Sequence, residues 1–112
     1  MMESRIQKTL DQWFPDAFAD VKKTALKSDY DILNHFAKHT KSLIKHDSEN
    51  KSEPFKIINL LYSKGTLFER NAIENAFFYV LAFDEYPQTL RQNLSLMPEP
   101  LRAVYLKTIL EN

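Results

Sequence analysis

Between Thr66 and Phe83 the chain reads Thr-Leu-Phe-Glu-Arg-Asn-Ala-Ile-Glu-Asn-Ala-Phe-Phe-Tyr-Val-Leu-Ala-Phe, and few folds can house that stretch. Its start is marked. Thr66 can accept from the open amides of a first helical turn, and Glu69 can reach back to the cap amide. Gly65 suits the left-handed turn that ends a preceding helix. From Ala76 to Phe83 the stretch is apolar on every side, and a helix of that kind needs neighbours all round it. The expected fold is therefore all-α: one compact bundle of five to six helices stacked as hairpins about a central helix over 66–83.

The rest of the chain agrees with a helical class. It holds a single glycine, too few for repeated tight hairpins, and its five prolines fall between helices or in first turns. The 112 residues suit one domain with one core. Ile6, Leu10, Trp13 and Phe14 give a first helical stripe, stopped by Pro15. Residues 16–26 read as a short helix capped by Asp16 or as a connector. Ser28 or Asp29 opens a helix to about Lys45, with acids at its start and lysines at its end. His46 to Glu53 is polar and reads as an exposed loop. Pro54 opens the next helix, with Ser52 as its cap, and the short Gly65-Thr66 link folds it back antiparallel to the central helix. Short helices follow from Pro87 and from Glu99 or Pro100. The expected core is Leu10, Trp13, Phe36, Leu43, Ile58, Leu61, Ile73, Phe77, Val80, Leu81, Leu101 and Tyr105.

Several chemistries are disfavoured. With no cysteine there is no disulfide, thiolate metal site or cysteine nucleophile. One glycine leaves no phosphate-cradling loop and no nucleophile elbow. The net charge is zero, against nucleic-acid binding. No apolar run approaches the ~20 residues of a membrane span. The start of the chain lacks the apolar centre of a signal peptide, so a cytoplasmic location is expected. Locally the balance shifts: residues 22–45 carry +4 and residues 66–112 carry −2. Solvated faces account for such asymmetry more simply than a steering field does.

Three groups remain as candidates. His35 and His39 lie one turn apart with Asp31 in line, a metal patch short of the ligands zinc requires, so two surface histidines are the simpler reading and no cofactor is expected. Arg70, Asn71, Glu74 and Asn75 share one arc of the central helix. Asparagine competes for backbone bonds inside helices, so two of them four residues apart imply either an internal hydrogen-bond network or a recognition surface. Asp84, Glu85 and Tyr86 follow the negative end of that helix, where acids are disfavoured. They either cap the next helix or meet a basic partner.

Arg70-Asn-Ala-Ile-Glu-Asn-Ala-Phe-Phe-Tyr-Val-Leu81 resembles the signature helix of an uncharacterised group of small bacterial helical proteins. Leu101-Arg-Ala-Val-Tyr105 resembles that group's closing helix, so the resemblance spans Phe55 to Leu110. Some small bacterial proteins of this kind, without cofactors, are immunity proteins against secreted toxins. The resemblance implies a toxin-neutralising partner but assigns no site residue. The expectation is a non-enzymatic immunity protein or antitoxin acting by steric contact. Asp84, Glu85 and Tyr86 are its first contacts, and Arg70, Asn71, Glu74 and Asn75 its second. The alternative is a regulatory or scaffolding helical module, including one that binds itself. A metal-dependent enzyme using His35 and His39 is the third reading.

Overall fold

In the computed structural model, which describes residues 4–19, 21, 26, 28–83 and 87–111, six helices form one all-α bundle. They are α1 (Arg5–Trp13), α2 (Asp29–Lys45), α3 (Glu53–Ser63), α4 (67–82), α5 (Pro87–Leu96) and α6 (Glu99–Glu111). A 3-10 turn, Pro15–Phe18, follows α1. Asp16 lies inside it, and most of the segment from 20 to 27 falls outside the described residues.

α4 is not wound uniformly. It runs as α-helix over Leu67–Ala72, as π-helix over Ile73–Phe78, and again as α-helix over Tyr79–Ala82. Its start is the capping box written in the sequence: Thr66 Oγ1 accepts from the Glu69 amide at 3.1 Å and Glu69 Oε1 accepts from the Thr66 amide at 2.9 Å. The wider π turn buries three consecutive residues, Ala76, Phe77 and Phe78. Phe77 meets Phe36 of α2 at 5.8 Å and Phe55 of α3 at 6.2 Å between ring centroids. Phe78 meets Tyr105 of α6 at 5.5 Å. The π segment is thus the hub against which α2, α3 and α6 all pack.

α4 is central but not enclosed. Ala76, Phe77, Phe78 and Leu81 are buried, whereas Tyr79 is 50% and Phe83 62% exposed. The all-round apolar pattern therefore overstates the covering, because no described element packs over the outer side of the last turn. Trp13 also departs from expectation. It is 60% exposed, and the next residue, Phe14, turns inward in its place, 4.9 Å from Phe36. Leu43 and Val80 are only partly buried. Ile6, Leu33, Phe55 and Phe78, which are not among the expected core residues, are fully buried.

Both links around α3 form for reasons other than those expected. The side chain of Ser52 makes no cap bond; α3 begins one residue before Pro54, whose missing amide falls in the first turn. Gly65 is not left-handed. A Cβ there would lie 2.7 Å from the Leu61 carbonyl oxygen, so the turn needs glycine for close approach. Gly65→Ala is expected to destabilise the protein by about 1–3 kcal/mol, the usual cost of forced overpacking, read as a lower urea midpoint at unchanged slope.

Arg5 locks α1 to this corner. Its guanidinium donates to the Glu69 carboxylate at 3.1 and 3.3 Å and to the Leu61 carbonyl at 3.0 Å. Burial pushes the Glu69 carboxyl up, but the bonds from Arg5 and the Thr66 amide outweigh it and hold Glu69 below its ordinary 4.5. A depressed carboxylate contributes stability that is complete above the unfolded value and lost as pH falls through the folded one. Acid unfolding should therefore be shallower below pH 4.5 in Glu69→Gln than in the natural sequence, measured by urea titration at stepped pH.

Candidate functional site

α2 and α4 run side by side in the same direction. Tyr30, near the start of α2, meets Phe68, near the start of α4, at 6.4 Å. At the far ends, Lys41 Nζ donates to the carbonyls of Val80 at 3.3 Å and Phe83 at 3.1 Å. The carbonyls closing a helix lack intrahelical donors, and a cation there also complements the negative end of the helix dipole. Lys41 therefore fixes the end of α4 against the flank of α2.

The outer side of this pair is open. Leu67, Asn71, Asn75, Tyr79 and Phe83 are spaced four apart and all exposed. A row so spaced drifts by roughly 40° per step around an unbroken α-helix. The wider π turn winds it back, keeping both asparagines and both aromatics on the solvent side. Leu67 and Phe68, 76% and 64% exposed, hold one end of the face, and Tyr79 and Phe83 hold the other. Beside the row, Asn34, Lys38 and Lys41 of α2, Tyr79 and Val80 of α4, and Phe83 just past its end border a hollow of about 430 Å³. Aromatic rings interleaved with amides, several of them uncovered on one side of a small domain, is the composition that marks contact surfaces.

The structure divides the Arg70–Asn75 arc in two. Arg70 donates to the carbonyls of Tyr62 at 3.1 Å and Ser63 at 3.4 Å, closing the end of α3, and lies 5.7 Å from the centroid of the Tyr62 ring. Glu74 accepts from the Tyr62 hydroxyl at 2.8 Å, with Lys107 of α6 at 4.0 Å. Burial, then the bond to Glu74, pushes the Tyr62 phenol up to about 12. These two charged residues tie α4 to α3 and α6 and do not pair with each other along the helix. Asn71 and Asn75 are exposed, and their side chains form no hydrogen bond among the described residues. They belong to the open face. Asp84, Glu85 and Tyr86 lie outside the described residues.

The histidine pair is held by its own surroundings. His35 Nε2 is 2.7 Å from the Ala17 carbonyl oxygen, and its ring lies 5.4 Å from that of Phe18. His39 stacks on Phe36 at 6.2 Å; burial, then the neighbouring His35, lowers its pKa. Among the described residues no three His, Cys, Asp or Glu side chains are grouped to hold a metal ion. None of the described helices is long and apolar enough to cross a membrane.

The contributions of Tyr79, Phe83, Lys38 and Lys41 were missed by motif reasoning. The four-residue spacing through Asn71 and Asn75 to Tyr79 and Phe83 was visible in the sequence, but its apolar members looked like core. What emerges is a small all-α bundle presenting an open face made by two parallel helices. The chain belongs to the family described as Domain of unknown function (DUF7674), whose model matches residues 8–111. No curated protein and no solved structure matches it.

Proposed function

We propose that this chain is a protein-binding domain that blocks a partner by direct contact, in the manner of an immunity protein or antitoxin acting on a bacterial toxin. One observation carries the reading: two asparagines free of internal bonds stand in line with exposed Leu67, Tyr79 and Phe83 on the outer face of the central helix. Such side chains contribute nothing evident to the core, and amide and aromatic groups together provide both specificity and contact area. The face sits on helices fixed at both ends by Thr66, Arg70 and Lys41, so little ordering is needed on binding. The mechanism is steric: a preformed surface covers the partner's working cleft.

The test is co-expression with the product of the adjacent gene. The reading predicts a stable one-to-one complex and protection of the host from that product. A chain that neither co-purifies nor protects contradicts it. The same face could instead receive a second copy of this chain. Sedimentation showing an obligate dimer that protects Tyr79 and Phe83 from solvent would assign it to self-association.

A further inference from the structure

Next to the open face lies a larger hollow of about 760 Å³, between the second half of α2 and α5. Lys38, Lys41 and Phe83 border both this hollow and the smaller one, so the two are continuous. Its apolar lining comes from Ile44, Leu81 and Phe83, while Lys38 and Lys45 stand on its α2 side. Asp47, the one acid among the described residues lining it, is paired with Lys51. Lys41 is engaged by the carbonyls of Val80 and Phe83. Lys38 and Lys45 have no ion pair among the described residues. The hollow therefore has an apolar patch at Ile44, Leu81 and Phe83, polar side chains of Ser42, His46 and α5 around it, and two cations on one rim that pair with no described residue.

We infer that this groove takes an acidic, extended segment of the protein partner, with carboxylates against Lys38 and Lys45 and an apolar side chain between them against Ile44, Leu81 and Phe83. The spacing suits such a segment. Seven residues of helix separate the two lysines by about 10 Å. Acids three residues apart on an extended chain of the polyproline-II type, with three residues per turn, fall on one side of it about 9 Å apart. The apolar lining distinguishes this occupant from a bare polyanion. Nucleic acid would leave Phe83 and Ile44 facing sugar and phosphate, and the chain has no overall positive charge to attract it. The inference rests on the protein-binding reading above and names the chemistry of the segment that reaches past Phe83.

The groove can be tested without the partner. The probes are fluorescein-labelled peptides built on Asp-Leu-Phe-Asp and on its charge-inverted counterpart Lys-Leu-Phe-Lys, read by fluorescence anisotropy at low and physiological salt. The acidic peptide is expected to bind at least tenfold more tightly than the basic one, and more weakly as salt rises. Lys38→Glu/Lys45→Glu should lose at least tenfold, and the milder Lys38→Gln/Lys45→Gln should lose severalfold with an unchanged circular dichroism spectrum. Amide resonances of Leu81 and Phe83 should shift on titration. Equal binding of the two peptides, no binding at millimolar peptide, or wild-type affinity in the glutamine variant would overturn the inference. So would binding to phosphatidylserine vesicles that the acidic peptide cannot displace, since that would assign the lysines to a lipid surface. A partner that still binds when the peptide does not would sink the groove and leave the open face standing. A peptide that binds when co-expression yields no complex would do the reverse.

Discussion

Replacing Phe77 by alanine is expected to lower stability by about 3–5 kcal/mol, the usual cost of truncating a buried phenylalanine when a cavity remains. The ring is fully buried and touches Phe36, Phe55 and Phe78, so it joins three helices at one point. A domain of this size has roughly 5–15 kcal/mol to lose, and the variant would be marginal or unfolded. Urea unfolding followed by circular dichroism measures the effect. Tyr79→Ala, two residues along the same helix, is the control. Its ring is half exposed, and its loss should cost far less. Equal losses at the two positions would mean that the π segment is not the hub of the core.

The second large effect concerns binding. Asn71→Glu/Asn75→Glu places two bulky carboxylates on the open face. Neither asparagine has a side-chain bond to lose, and glutamate is the better helix former, so stability should change by no more than about 0.5 kcal/mol per site. Binding to the partner should fall by two orders of magnitude or more, because each buried, unpaired carboxylate at an interface costs several kcal/mol. Calorimetric titration against the partner measures the loss, and urea unfolding checks that the fold is intact. Arg70→Ala is the useful contrast. It removes the bonds that close α3 and should reduce stability before it reduces affinity.

The contrast between Asn71 and Arg70 shows where sequence reading stopped. Two helix starts were legible because they depend on local chemistry: Ser28 accepts from the Asp31 amide and Thr66 from the Glu69 amide, as their positions imply, whereas the expected Ser52 cap does not form. The all-α class followed from periodicity for the same reason. The arc of four polar residues on α4 was also visible, but its division was not. Whether Arg70 caps α3 or faces a partner depends on where Tyr62 and Ser63 come to lie. Trp13 and Phe14 posed the same problem at the end of α1. Two adjacent aromatics precede a proline, and only the packed position of Phe36 decides which one turns in. The π turn had no signal in residue type. It also changed the outward face, by aligning residues four apart that an α-helix would have spread around its axis.

The most direct test of the account is growth of cells that produce the adjacent gene's product together with this chain, either as the natural sequence or as Asn71→Glu/Asn75→Glu. The account predicts growth with the natural sequence and arrest with the variant, although both accumulate as folded protein. Equal growth with the two would mean that the outer face of α4 is not where the partner is met.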